Sequence, residues 1–291
     1  MSNSYAGAQR TAIVNADDFG FSSGVNQAII KAHREGILTR TSLMVTGAAF
    51  DGAVELAHAH PSLAVGLHLV LVCGRSALPA VQIPHLVNRQ GNFSDDPAWA
   101  GLRYQFDPAA RSELRREIRA QLERFAQTGL SLSHVDGHLH LHTHPVILNI
   151  LIELASEFHI PEIRLPFEEL RFTLRIVPPG WMAKSLGWLV FRQLRRYGEG
   201  QLQRTHIRYA QRVYGLLQSG QMSAAYVAKL VPQIQADEIE IYFHPAIALK
   251  GEPANGPLGS GERELEALLS PKVKQAFSDA GFRLSGSLPT R

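Results

Sequence analysis

Residues 11–20 read Thr-Ala-Ile-Val-Asn-Ala-Asp-Asp-Phe-Gly, and the fold follows from this stretch and the helix behind it. The first six residues form a short apolar run that is typical of a buried strand. Residues 25–34 then place apolar side chains at helical spacing, at Val25, Ala28, Ile29 and Ala32. Because parallel strands need a crossover connection, this unit predicts an α/β fold with a parallel sheet, either open or closed into a barrel.

The same alternation of strands and helices continues along the chain. We predict further strands over residues 41–45, 63–71, 162–165 and 238–243, and further helices over residues 51–60, 108–127, 146–157, 181–197, 223–230, 262–269 and 271–280. Residues 74–106 lose this periodicity and contain several prolines, which predicts a long loop inserted after the third strand, a candidate lid or substrate wall. We expect residues 172–235 to form a helical region.

Length and composition are typical of one globular domain over residues 1–291, with a flexible N-terminus at residues 1–10. The net charge of +3 is mild and the arginines are scattered, so nucleic acid is not an expected partner. Cys73 is the only cysteine, which excludes an internal disulfide and favours the cytoplasm. We find neither a signal peptide nor an apolar run of about 18 residues that could cross a membrane.

The most unusual segment is His134-Val-Asp-Gly-His-Leu-His-Leu-His-Thr-His144. If it is extended, its five histidines and Asp136 all point to one face. Imidazole is a common zinc ligand, so the segment predicts a metal site, with a histidine-rich surface loop as the alternative. At about 3.3 Å per residue the run spans roughly 33 Å, so one ion reaches only one or two of these side chains. The other ligands must come from elsewhere in the chain.

Five further residues are candidates for chemistry. Asp17 and Asp18 follow the first strand, where side chains face the site in parallel α/β folds; a solvated turn that caps a helix is the alternative. His68 lies inside an apolar strand and His244 ends a late one, although a lone buried histidine is more often a core residue. Arg164 lies on a short predicted strand, where a surface ion pair is an equally good interpretation.

Four motifs occur in order along nearly the whole chain: Asn-Ala-Asp-Asp-Phe-Gly at 15–20, Gly-Leu-His-Leu at 66–69, His-Val-Asp-Gly-His-Leu-His-Leu-His at 134–142 and Tyr-Phe-His-Pro at 242–245. Together they resemble the motifs of the YdjC-like, ChbG-type carbohydrate deacetylases. The resemblance implies a TIM-like (β/α) barrel, for which seven strands are one option. It also implies an enzyme that hydrolyses the N-acetyl group of an N-acetylated amino sugar.

The resemblance further implies one divalent metal ion, either zinc or magnesium, with manganese or cobalt as other options. Its ligands would be Asp18, His68 and His138. The other polar side chains of the histidine run would orient these ligands or meet the substrate: Asp136, His140 and His142. His134 and His144, at the two ends, are expected to have ordinary structural roles.

Three catalytic residues are implied in the same way. Asp17 matches the position of the base that removes a proton from water, and Arg164 that of an arginine that orients this base. His244 matches a candidate acid that protonates the departing amine. The metal would polarise the acetamide carbonyl and activate the attacking water.

Residues 172–246 look most like the hopanoid-biosynthesis-associated branch, HpnK, through Val-Tyr-Gly at 213–215, Ser-Gly-Gln-Met at 219–222 and Glu-Ile-Tyr-Phe-His-Pro-Ala at 240–246. This similarity implies a glycolipid substrate, an N-acetylglucosaminyl hopanoid, beside a small-molecule sugar. Residues 181–196 would then lie as an amphipathic helix at the inner face of the membrane, with Trp188 and Phe191 toward the lipid. A core helix with a solvated end is the alternative. A homo-oligomer stays open.

Two other functions stay open as well. A different barrel metallohydrolase, an amidohydrolase or a phosphoesterase, also uses His-x-His, but usually on the first strand, where this chain has two aspartates. A non-catalytic, metal-dependent carbohydrate-binding protein would keep the pocket without turnover. The presence of both Asp17 and His244 argues against that alternative.

Overall fold

A computed structural model describes residues 10–289 and gives an α/β fold in which all regular strand pairs are parallel, as predicted. The predicted flexible N-terminus at residues 1–10 lies outside the described range, apart from Arg10, which begins the first strand. The sheet strands are β1 (Arg10–Phe19), β2 (Arg40–Leu43), β3 (Ala64–Leu69), β4 (Leu132–Gly137), β5 (Arg212–Tyr214), β6 (Glu238–Phe243) and β7 (Phe282–Leu284).

Helices connect these strands and pack against the sheet. They are α1 (Ser23–Glu35), α2 (Phe50–Ala59), α3 (Pro97–Phe106), α4 (Pro108–Ala126), α5 (Pro145–Phe158), α6 (Leu170–Ile176), α7 (Trp181–Leu202), α8 (Ala224–Leu230), α9 (Ser260–Leu269) and α10 (Pro271–Asp279). Their starts follow local signals: the Ser22 side chain accepts from the Val25 amide at α1, and Asp107 caps α4 ahead of Pro108. Among residues 10–289, no helix has the length and apolar content needed to cross a bilayer.

The order of the strands is β4-β3-β2-β1-β6-β5, with β7 beside the start of β1. Two isolated bridges connect the two ends of this strand order. Val135 of β4 pairs with Ile163, and the neighbouring Glu162 pairs with Arg208 ahead of β5. The sheet therefore curves around residues 162–164. The predicted regular strand at 162–165 is wrong, because within this range only Glu162 and Ile163 pair with neighbouring segments, each through an isolated bridge.

The prediction of a loop over residues 74–106 is wrong for the last part of that segment. Asp96 accepts from the amides of Ala98 and Trp99 and so starts α3, which occupies the last ten residues of that segment. The earlier part is irregular and is tied to α4, since Glu117 accepts from the amides of Ala77 and Leu78. The predicted helical region at 172–235 is likewise interrupted by β5.

The histidine run is not extended over its length, so the expected single polar face is wrong. β4 ends at Gly137, where a Cβ atom would lie 2.9 Å from the carbonyl oxygen of Leu69. A 3-10 turn follows over His138–Thr143, and Leu139 and His140 inside it have left-handed φ values of 51° and 57°. The turn sends neighbouring histidines in different directions, which alternation along a strand could not do.

Helix α7 is exposed along its first half and buried near its end. Its outward side chains include Trp181, Met182, Leu186, Leu189 and Val190. The predicted outward positions of Trp188 and Phe191 are wrong: the Trp188 indole donates to the carbonyl of Glu168 at 2.9 Å, and the Phe191 ring packs edge-on against His140. Both side chains therefore face the body of the protein.

Candidate metal and catalytic site

Two adjacent carboxylates lie at the end of β1 because the strand breaks its regular geometry there. Asp18 has a left-handed φ of 68°, and the pairing of β1 with β2 shifts register between Ala16 and Phe19. This break lets the side chains of Asp17 and Asp18 both face the same cavity, instead of opposite faces of the sheet. The helix-cap alternative is wrong, because Ser22 caps α1.

Asp18, His68 and His138 come together as a candidate cation site. Oδ1 of Asp18 lies 3.3 Å from Nε2 of His68 and 3.2 Å from Nδ1 of His138, and the three possible ligand atoms lie within 4.8 Å of one another. The second carboxylate oxygen, Oδ2 of Asp18, is buried without a hydrogen-bond partner. Two imidazoles, a carboxylate and a buried acceptor without a donor suit a divalent metal ion with room for a further ligand.

His68 is oriented for ligation by the residues behind it. Its Nδ1 lies 2.7 Å from Oδ1 of Asp136 and 3.2 Å from Oγ of Ser42, which leaves Nε2 to face Asp18. Burial lowers the pKa of His68, but the Asp136 carboxylate outweighs it and raises the pKa to about 10. A proton on His68 and a metal ion at Nε2 are therefore alternatives, and both balance the buried carboxylates.

Asp17 is held as an ionised carboxylate beside this cluster. Arg164 donates to both of its oxygens at 2.8 Å, and Asn15 donates to Oδ1 at 2.7 Å. Burial raises the pKa of Asp17, but the charge and hydrogen bonds of Arg164, together with the charge of His68, outweigh it and the pKa is lowered. Nε2 of His244 lies 3.9 Å from Oδ2 of Asp17. The surface ion pair considered for Arg164 is wrong, because that side chain is buried.

The remaining members of the histidine run separate into different environments. His140 lines the cavity and its Nε2 lies 2.8 Å from the hydroxyl of Tyr242. His142 is buried behind it, with Nε2 2.9 Å from the carbonyl oxygen of Arg164, and burial lowers its pKa to about 4. His134 lies 3.4 Å from Asp136, and the His144 side chain accepts from the Val146 amide at the start of α5.

Residues 11–279 match the profile of the YdjC-like proteins. The chain belongs to the YdjC-like family.

Curated relatives of this YdjC-like protein are named carbohydrate deacetylases. One from Brevibacillus brevis is 46% identical over 155 residues, which are 53% of this chain and 59% of the relative. One from Geobacillus stearothermophilus is 42% identical over 153 residues, 52% of this chain and 58% of the relative. The matched part of the chain thus spans less than two thirds of the length of these relatives.

A solved structure shares the fold along the whole chain. It is that of a protein from Enterococcus faecalis V583 assigned provisionally to cellobiose-phosphate cleavage, with a TM-score of 0.73 at 24% identity, covering 96% of this chain and 98% of the other. At this identity the likeness concerns the fold.

The site of this YdjC-like protein also contains residues that the sequence did not point to. The cavity, of about 350 Å³, is lined on one side by Asp17, Asp18 and the histidines and on the other by Ser219 and Asn255. Glu264, fully buried on α9, accepts from the backbone amide of His244. Ser219 belongs to the Ser-Gly-Gln-Met stretch at 219–222 but was given no role in the site. No motif marks Asn255 or Glu264, because they lie in the loop after β6 and on a helix that only the tertiary fold brings to the cavity.

Proposed function

We propose that this protein is a metal-dependent N-deacetylase that acts on an N-acetylated amino sugar. The observation that carries the proposal is the position of Asp17, which lines the cavity beside the Asp18, His68 and His138 cluster. A base next to a cation site is the arrangement that hydrolysis of an unactivated amide needs. The names of the curated relatives support the same reaction.

In this proposal Asp18, His68 and His138 hold one divalent ion, zinc or magnesium, with manganese or cobalt as other options. The ion supplies Lewis-acid polarisation of the acetyl carbonyl. Asp136 keeps the proton of His68 at Nδ1 and thereby presents Nε2 to the cluster. His140 and His142 are proposed to shape the wall behind these ligands, His140 with a face toward the substrate.

The chain's own residues then handle the protons. Asp17 accepts a proton from the water that attacks the acetyl carbon, and Arg164 keeps Asp17 ionised and oriented for this step. The C–N bond breaks as His244, which is 22% exposed, donates a proton to the leaving nitrogen. The products are acetate and the free amine of the sugar. The alternative for the same class of site is a different barrel metallohydrolase, an amidohydrolase or a phosphoesterase.

The experiment that tests this function is a measurement of acetate release. The purified protein is incubated with short chitooligosaccharides and with N-acetylglucosaminyl lipids, and the metal content of the same preparation is determined. We expect acetate release from at least one of them, its loss on chelation and its return with added metal. Binding of these ligands without acetate release would instead indicate a carbohydrate-binding protein.

The proposed substrate class extends to a glycolipid, of which an N-acetylglucosaminyl hopanoid is the specific candidate. The exposed half of α7 supports this extension, because Trp181 is 59% and Leu186 65% exposed. Exposed apolar groups of this size mark interaction surfaces. Phe191, on the inner side of the same helix, lines the cavity, so α7 joins the apolar surface to the site.

The charge around α7 favours an anionic lipid surface as the partner of this face. Residues 170–198 contain six Arg or Lys residues and no Asp or Glu. A second copy of the same face would bring like charges together, whereas anionic headgroups would balance them. We propose peripheral contact of residues 181–196 with the inner face of the membrane in a cytoplasmic protein, with a homo-oligomer left open.

The architecture proposed for this function is one deacetylase domain over residues 1–291. Its TIM-like barrel would have seven strands, with residues 74–106 as an insertion that forms part of the cavity wall. Pro97 lies at the edge of the cavity, which supports a role for the insertion at the substrate entrance.

A further inference from the structure

The guanidinium of Arg164 is held from three directions. Its Nη1 and Nη2 donate to the two oxygens of Asp17 at 2.8 Å each, and Nη2 also lies 2.7 Å from Oδ2 of Asp136. Its Nε donates to Oε1 of Glu240 at 2.6 Å. A bidentate pair defines the plane of the guanidinium, and the bond at Nε prevents the group from sliding or turning within that plane.

Glu240 belongs to a closed ring of hydrogen bonds that returns to Asp17. Its Oε2 accepts from Nη2 of Arg40 at 2.7 Å, and Nε of Arg40 donates to Oδ1 of Asn15 at 3.2 Å. Asn15 then donates to Oδ1 of Asp17 at 2.7 Å. The parallel register brings these residues together, because Asn15 pairs with Arg40 and Ile13 with Glu240. The ring therefore holds Asp17 from two sides.

Glu240 also separates two buried positive charges. Arg40, Arg164 and Glu240 each expose 1% or less of their surface. Like charges repel strongly in a poorly solvated interior, and a buried charge without its partner is strongly destabilising. With its two oxygens on different arginines, Glu240 fixes the distance between the guanidiniums. The geometry of Arg164 thus depends on a carboxylate that is not among the described residues lining the cavity.

We propose that Glu240 is a positioning residue for the reaction, which holds Arg164 so that Asp17 presents Oδ2 to the cavity. This inference rests on the proposed deacetylase function, in which Asp17 is the base. Glu240 is absent from the described residues that line the cavity, so its effect passes through Arg164. A shift of about 1 Å in a catalytic group can lower the rate about 10²-fold.

The test compares Glu240→Gln with Glu162→Gln. Glu162 is equally buried and binds the same Arg40, but among residues 10–289 its carboxylate forms an ion pair with Arg40 alone. We expect Glu240→Gln to lower kcat about 10²-fold while KM and metal content change by less than about threefold. Glu162→Gln should show a similar loss of Tm with kcat within about threefold of wild type. A purely structural role would lower both quantities alike in the two variants.

Two outcomes overturn the inference: wild-type kcat in folded Glu240→Gln, or an equal loss of kcat in Glu162→Gln. If Glu240→Gln does not fold, Glu240→Asp keeps the buried negative charge between the two arginines but shortens the side chain, and it supplies the same measurement with an expected loss of kcat. Absence of acetate release from the wild-type protein would count against the proposed function itself, which keeps the two failures distinguishable.

Discussion

Charged side chains are buried at the carboxyl ends of β1, β4 and β6, whereas large apolar side chains are exposed along the first half of α7. Asp136 is fully buried, while Trp181 and Leu186 on α7 are more than half exposed. Burial of an ion costs several kcal/mol unless it is paired, and exposure of apolar area forgoes about 25 cal/mol per Å². Folding alone favours neither arrangement. Both regions are therefore where function is expected to have shaped the sequence.

The difference between the two regions lies in how tightly each residue is constrained. Most charged side chains of the interior have particular partners at fixed distances, as in the two bonds from Arg164 to Asp17. The exposed side chains of α7 share only their apolar character, and within the described part of the chain none of them has a specific partner to which it must be matched. Single substitutions should therefore have large effects in the interior, whereas on α7 they should change binding with little effect on folding.

The largest effect is expected for Asp17→Asn. The amide keeps the shape of the side chain but cannot accept the proton from water, so kcat should fall about 10³-fold. Metal content should stay near that of the wild type, because Asp18, His68 and His138 are unchanged. Asp51→Asn, an exposed change in the first turn of α2, is the matched control and should retain activity. Turnover by Asp17→Asn at the wild-type rate would exclude Asp17 as the base.

A smaller effect is expected for the pH dependence of stability through His142. Burial lowers its pKa from 6.5 to about 4, so the unfolded chain binds more protons than the folded chain between these values. Stability should thus rise with pH through this window and be lost as the pH falls. The contribution of this one group between pH 7.5 and pH 5 is about 2 kcal/mol.

Urea unfolding of the wild type and of His142→Gln at these two pH values measures this contribution. The variant should be less stable at pH 7.5, because it replaces a packed ring, but should lose about 2 kcal/mol less on acidification. Equal losses in both proteins would show that His142 does not account for the pH dependence.

Part of this contrast could be predicted from the sequence. Apolar periodicity predicted β6 at its observed bounds and helices such as α1 and α5 to within one or two residues, because local spacing determines which face is buried. In contrast, α7 ends five residues beyond its predicted end at residue 197, and α3 lies in the segment predicted as a loop. The motifs drew attention to Asp17, Asp18, His68 and His138, which the structure brings together. Their assigned roles remain proposals.

Other features depend on contacts that local patterns do not record. The left-handed conformation of Asp18 lies where β1 shifts its register against β2, and the turn after Gly137 begins where β4 ends beside Leu69. Arg40 and Glu240 stand 200 residues apart and pair only because their strands flank β1. On α7, periodicity indicated an amphipathic helix but not which side faces outward, because the orientation of the helix depends on its contacts with α6 and the cavity.

The smallest effect on folding, with a clear effect on binding, is expected for the double variant Leu186→Glu/Leu189→Glu. Both side chains are exposed on α7, so the change should alter the free energy of unfolding by less than about 0.5 kcal/mol per site. Co-sedimentation with phosphatidylglycerol vesicles should weaken at least about tenfold, because two charges replace apolar contacts and repel the headgroups.

Val81→Glu, at an exposed apolar position in the segment before α3, is the control and should bind like the wild type. Neutral phosphatidylcholine vesicles should bind the wild type more weakly, since the arginines near α7 then lack anionic partners. If the wild type fails to bind anionic vesicles, or if Val81→Glu weakens binding equally, the exposed face of α7 is not a lipid-binding surface.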